Sequence, residues 1–180
     1  TRPGLDVKQR GLCTISALLA LGQLPLLRRH IERSLNLGVP PEQIVEVIVL
    51  LTFYVGVPAV EAAMRITKDV FEELGIDFTP TEVYDTSRSA EQLYDAGAKA
   101  YRENIGENVA YYTDHPTAVE LQHLVFEYHW GAIYTRPHLD DKLRAMCSLA
   151  ALTVQGRYDR QIRLRIEGAL RVGVTPTEIM

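Results

Sequence analysis

Thr1-Arg2-Pro3-Gly4-Leu5-Asp6-Val7-Lys8-Gln9-Arg10 returns, little altered, as Thr135-Arg136-Pro137-His138-Leu139-Asp140-Asp141-Lys142-Leu143-Arg144. Continued with one extra residue between Gly156 and Arg165, the register sets Cys13 against Cys147, Gly22 against Gly156, Glu32 against Glu167 and Gly38-Val39 against Gly173-Val174. About 19 of roughly 44 pairs are identical where chance gives about 3, so the segment is duplicated. Two copies of one sequence take one fold, and reading either copy decides both.

The copies read as helices. Between Asp6 and Leu21 the apolar residues Leu12, Ile15, Leu18 and Leu19 recur at helical spacing, with Asp6 placed to cap the start and Gly22 to end it. A second helix is expected over 25–37, stopped by Gly38. Thr175-Pro176-Thr177-Glu178 is a capping box with proline at the first helical position, and Pro40-Pro41-Glu42-Gln43 stands at the same place in the first copy. The helix this predicts over 41–54 is apolar on nearly all sides and should be buried. Val55-Gly56-Val57-Pro58 breaks the chain before another helix over 59–74, closed by Gly75. Beyond a polar stretch at 77–89, an amphipathic helix is expected over 90–105. Asp114-His115-Pro116 should cap a longer one through Tyr128. No sustained alternation bounded by turn residues marks a strand, so the expected fold class is all-α.

Composition narrows the partners. A chain of 180 residues, 47% of them hydrophobic, can bury a core. Its net charge of -4 is spread without a basic stripe, which argues against nucleic acid as a partner. The longest apolar run, 45–60, carries Glu46 and is cut by Gly56 and Pro58, short of the roughly 18 to 20 residues needed to cross a bilayer. With no basic-then-apolar leader and only two cysteines, the expectation is no membrane partner and a cytoplasmic location.

Three stretches resemble the carboxymuconolactone decarboxylase family. Trp130-Gly131-Ala132-Ile133-Tyr134-Thr135-Arg136-Pro137 is similar to its W-G-x-I-W-T-R-P-G-L entry. Leu27-Arg28-Arg29-His30, running on to Leu35, Gly38-Val39, Pro41-Glu42 and Ile44, is similar to its L-x-x-H, A-L and G-V-T-x-E-E-I. Tyr54-Val55-Gly56-Val57-Pro58-Ala59 is similar to its Y-x-G-x-P-A turn. The resemblance implies a helical bundle of the alkylhydroperoxidase D-like type in two tandem, partial units. Residues 1–84 match the later part of one unit and residues 85–180 the earlier part of the next. Trimmed ends of a longer tandem protein explain that order better than a permuted unit.

The family resemblance implies decarboxylation, without a cofactor, of a small carboxylated lactone of the γ-carboxymuconolactone type. Loss of CO2 leaves an electron pair that a butenolide delocalises onto its carbonyl, so the protein must hold carboxylates, stabilise an oxyanion and deliver a proton. His30 holds the family's histidine position and is the expected catalytic proton donor; Arg165 replaces it in the second copy. Arg136 or Arg2 can anchor a carboxylate through a fork of donors, or stand as exposed helix-start arginines. Tyr54 can offer a hydroxyl to the oxyanion, and Trp130 with His129 an aromatic wall; core packing explains these residues as well. Glu32 and Glu167 read as ion-pair partners of Arg28 and Arg163, four residues earlier.

Other chemistry finds little support. The superfamily's dithiol peroxidases need C-x-x-C ahead of the histidine, and Gln23 and Leu26 stand there, with Tyr158 and Gln161 in the second copy. Cys13 and Cys147 read as core cysteines without a resolving partner. His115, His123 and His138 lack metal spacing, and there is no G-x-G-x-x-G or P-loop, so neither metal nor cofactor is expected. A homo-oligomer acting on a small-molecule substrate is what the resemblance implies. Cyclisation or rearrangement of another enolisable molecule, or a non-catalytic structural copy, stays open because Arg165 departs from the family pattern.

Overall fold

The computed structural model describes residues 4–80, 84–106 and 116–180. Ten α-helices follow one another among them: α1 (Val7–Ala20), α2 (Leu24–Asn36), α3 (Pro41–Leu50), α4 (Thr52–Val55), α5 (Val57–Glu73), α6 (Ala90–Asn104), α7 (Val119–Leu124), α8 (Asp141–Gln155), α9 (Asp159–Arg171) and α10 (Pro176–Ile179). A 3-10 turn (Pro116–Ala118) precedes α7 and a π-helix (Val125–Ile133) follows it. No strand occurs among the described residues, and the fold is all-α. The chain forms two compact units, Thr1–Thr81 with His138–Met180, and Glu82–Pro137. These units group residues by packing, whereas the boundary at 84/85 divides the sequence by its resemblance.

In the first unit the two copies are built from the same local devices. Asp6 caps α1 by accepting from the Lys8 and Gln9 amides at 2.8 Å, and the Gln9 side chain returns a carbonyl to the Asp6 amide, closing a capping box. Asp140 caps α8 in the same way from the Leu143 amide, 2.7 Å away. Before each cap the backbone turns through a positive φ, 111° at Gly4 and 71° at His138. A β-carbon makes this conformation costly, and the second copy adopts it with histidine. The counterparts α1 and α8 pack against each other, flanked by α2 and α9 respectively.

The core of this unit is Leu12, Ile15 and Leu19 of α1, Leu27 and Ile31 of α2, and Ile44, Val47, Ile48 and Leu50 of α3, all at most 1% exposed. The helix expected over 41–54 is interrupted at Leu51. There the Thr52 hydroxyl donates to the Val49 carbonyl at 2.7 Å, competing with the backbone ladder and setting α4 apart. Gly56, at φ 84°, makes the turn into α5 that a side chain would strain.

The second unit pairs α6 with the π-helix. Ser89 and Gln92 close a capping box on α6. At the crossing, a β-carbon on Gly97 would stand 1.9 Å from the Phe126 carbonyl oxygen, and one on Gly131 would stand 2.1 Å from that of Leu93. Glycine lets the two backbones touch. The widened turn is registered by the Tyr134 amide, which donates five residues back to His129 O at 2.9 Å. A regular helix through Tyr128 was expected here, and its proposed cap, Asp114 and His115, lies outside the described residues. Among the described residues no helix is long and apolar enough to cross a membrane.

Candidate functional site

The polar cluster that the first unit assembles joins the two copies. Tyr54 leaves the short helix α4 immediately before the Gly56 turn, and its hydroxyl oxygen accepts a hydrogen bond from the Arg165 guanidinium of α9. The guanidinium carbon lies 5.5 Å from the centre of the Tyr54 ring, within cation–π range. Gln155, at the end of α8, donates from Nε2 to the Tyr54 carbonyl at 3.2 Å. Arg165 is buried, at 8% exposure. Its charge is therefore held inside the unit, with the Tyr54 phenol as one of its partners.

His30 stands half-buried on α2, one turn from the buried Leu27 and beside Ile31. Its helix is positioned on one side by α1 and on the other by α5, where Arg28 pairs with Glu73. Arg28 also meets Glu32 at 3.2 Å, the ion pair expected from their spacing. The Arg165 position, which is the counterpart of His30, is thus the one brought to the tyrosine of the Y-x-G-x-P-A turn.

Trp130, His129 and Arg136 belong to the second unit. Trp130 and His129 are buried, at 2% and 5%, in an aromatic cluster with Tyr101, Phe126 and Tyr134. Trp130 and Tyr134 lie 4.2 Å apart between ring centres. Arg136 lines a pocket of about 180 Å³ together with Arg88, Asp85 and Thr135. Arg88 donates there to the Gly131 carbonyl at 3.3 Å and to the Thr135 hydroxyl at 3.4 Å. Two guanidinium groups and the Asp85 carboxylate thus border one small pocket. Arg2 lies outside the described residues.

Cys13 and Cys147, which carry no sign in the sequence of a resolving partner, lie together. Cys13 of α1 and Cys147 of α8 share a hydrogen bond. That bond holds the Cys13 thiol below its ordinary range, whereas the same bond and burial push Cys147 well above it. The duplication was the available signal, since it places a cysteine at the same position of two counterpart helices. Glu46 and Arg144 are two further charged groups buried in this unit, and both are partnered. Gln155 carried no signal in either copy's motif. Among the described residues no cluster of three or more His, Cys, Asp or Glu is arranged to hold a metal.

Beside Cys13 a groove of about 580 Å³ runs between α1, α8 and α9, lined by Ala17, Met146, Ile162 and Ile166 and reached by Arg10 and Glu178. Glu178 accepts from Lys142 at 2.8 Å and from the Thr175 amide at 2.7 Å. The lysine first, then the amide, lower its carboxyl from 4.5 to about 2.

Helix order and the histidine and tyrosine motifs define a member of one class. The carboxymuconolactone decarboxylase family model matches residues 1–69 and 120–180, and the chain belongs to that family. It is 43% identical over 76 residues to a 4-carboxymuconolactone decarboxylase of Acinetobacter baylyi, a match covering 42% of this chain and 57% of that protein. It is 36% identical over 74 residues to an uncharacterized 15.0 kDa protein of Paracoccus denitrificans, covering 40% of this chain and 55% of the relative. It is also 31% identical over 91 residues to a nitrosuccinic acid decarboxylase of Metarhizium robertsii, covering 49% and 63%. The chain spans little more than half the length of these relatives.

Proposed function

We propose that this chain carries out, in a homo-oligomer located in the cytoplasm, a cofactor-independent decarboxylation of a small carboxylated lactone of the γ-carboxymuconolactone type. The observation that carries the reading is an imidazole at position 30, on a helix inside the first segment matched by the family. Two of the relatives are decarboxylases of different acids, which supports decarboxylation as the shared step more strongly than any one substrate.

Cleavage of the C–C bond releases CO2 and sends its electron pair into the lactone, as a dienolate with charge on the carbonyl oxygen. His30 then gives its proton to carbon. Within the first unit the Tyr54 hydroxyl is the proposed donor to the oxyanion. Carboxylate anchoring is proposed for the arginines of the two T-R-P entries, Arg2 and Arg136, and within the second unit Trp130 with His129 is the proposed aromatic wall.

A second reading is favoured by the contact between Tyr54 and Arg165. Arginine rather than histidine stands beside the tyrosine of the turn, which suits cyclisation or rearrangement of another enolisable substrate, or a copy kept for structure. Lactone consumption followed by absorbance separates the readings. Wild type should turn over, and His30→Ala should lower kcat by about 10²–10⁴-fold. Unchanged turnover in His30→Ala would remove the histidine from catalysis, and an inactive wild type would favour the second reading.

A further inference from the structure

We propose that Cys13 and Cys147 form a reversible disulfide linking the two copies, made by exchange with a low-molecular-weight disulfide that reaches Cys13 through the groove between α1, α8 and α9. The pairing is a product of the duplication. Cys13 and Cys147 are counterparts on counterpart helices, and those helices pack against each other with small residues around the thiols: Ser16 and Ala17 on α1, Ser148 and Ala151 on α8. Ser16, Cys147, Ser148 and Ala151 are all fully buried. Both hydroxyls donate to the carbonyl one turn back, Ser16 to Leu12 at 2.9 Å and Ser148 to Arg144 at 2.7 Å, and Ser16 also hydrogen-bonds the Cys147 sulfur. The thiols hydrogen-bond to each other and stand free of any existing disulfide.

Their surroundings differ in a way that assigns each a role. Cys13 is partly exposed and lines the groove, whereas Cys147 is wholly buried behind it. Only Cys13 can meet a reagent from solvent. The hydrogen bond donated by Cys147 favours its thiolate, the form that attacks. Cys147 holds its proton until the acceptor is consumed.

The exchange balances in two steps. The Cys13 thiolate attacks one sulfur of the small disulfide, breaking its S–S bond and forming a mixed disulfide. The departing thiolate takes up a proton. Cys147 then loses its proton, its sulfur attacks the Cys13 sulfur, and the second small thiol leaves. Two protein thiols are oxidised and one small disulfide is reduced to two thiols. The product ties α1 to α8 across a loop of residues 13–147, and closing so long a loop constrains the unfolded chain strongly. The groove wall of Ala17, Met146, Ile162 and Ile166 suits a small neutral reagent.

The test uses the full chain under native conditions with 2-hydroxyethyl disulfide as the probe. Thiols are counted after denaturation, and intact mass and a non-reducing peptide map are recorded. Wild type should fall from two thiols to none, lose two hydrogen masses, and yield one peptide pair joining Cys13 to Cys147. Cys147→Ser should stop at a single mercaptoethanol adduct on Cys13, and Cys13→Ser should leave Cys147 unmodified. Circular dichroism checks that each variant is folded, with the corresponding alanine variants as replacements. Oxidised wild type should melt about 5 °C or more above the reduced form. Retention of both thiols, stable adducts on wild type, disulfides between chains, or a cross-link that leaves the melting point unmoved would each overturn the proposal.

Discussion

α2 and α9 are the same helix twice, placed in two environments. α2 lies between α1 and α5, with Leu27 and Ile31 wholly buried and His30 partly exposed between them. α9 packs on α8, yet Ile162 and Ile166, the counterparts of Leu27 and Ile31, line the open groove. Arg165 is meanwhile the buried member, held by Tyr54 of the other copy. Duplication therefore copied a helix without copying its surroundings. A family motif read along one copy says which side chain sits at a position, and the other copy decides what that side chain meets.

Three measurements break or sharpen this contrast. The largest difference should come from paired truncations. Ile31→Ala empties a closed core and should cost about 2–5 kcal/mol, whereas Ile166→Ala, already facing the groove, should cost less than about half of that. Urea unfolding of both variants decides it, and equal losses would mean that the groove is covered in solution. The second contrast lies at the positive-φ residue ahead of each cap. Gly4→Ala should destabilise by about 1–2 kcal/mol, since its β-carbon would also meet the Thr177 carbonyl oxygen at 3.2 Å. His138→Gly should stabilise by up to about 1 kcal/mol, because relief of the left-handed strain exceeds the entropy that glycine loses on folding. Thermal melts of the two variants should move in opposite directions.

The smallest effect concerns acid. Lys8 of the first copy donates to the Gly38 carbonyl at 2.7 Å, which does not titrate, whereas Lys142 of the second copy donates to Glu178. The Glu178 carboxyl is lowered on folding, so its contribution is fully present above the ordinary carboxylate value of 4.5 and is lost as pH falls towards about 2. Protection factors at α10, which remove the intrinsic pH dependence of exchange, should fall across that window while those at the start of α3 hold. An equal fall in both copies would remove Glu178 as the cause.

Much of the architecture was legible because its determinants are local. The caps at Asp6, Asp140 and Thr175, the glycines after α1 and α2, and the apolar spacing of Leu12, Ile15 and Leu19 each act within a turn or two of chain. The ion pair of Arg28 with Glu32 was legible for the same reason. The π-helix was not, because its widened turn accompanies the approach of Gly97 to Gly131, two glycines whose separate positions carry no mark of their meeting. Leu51 was also missed, since its break depends on one threonine hydroxyl taking a carbonyl from the ladder.

The sequence by itself determined an all-α chain, the duplication, the family and the side chain at each motif position, including histidine at 30 and arginine at 165. Only the tertiary structure decided that Arg165 and Tyr54, 111 residues apart, form one polar pair, and that Cys13 and Cys147 face each other. Helix formation is governed by hydrogen bonds and caps a few residues apart. Which helices then pack together is governed by burial of whole apolar faces, and no short stretch of sequence carries that information.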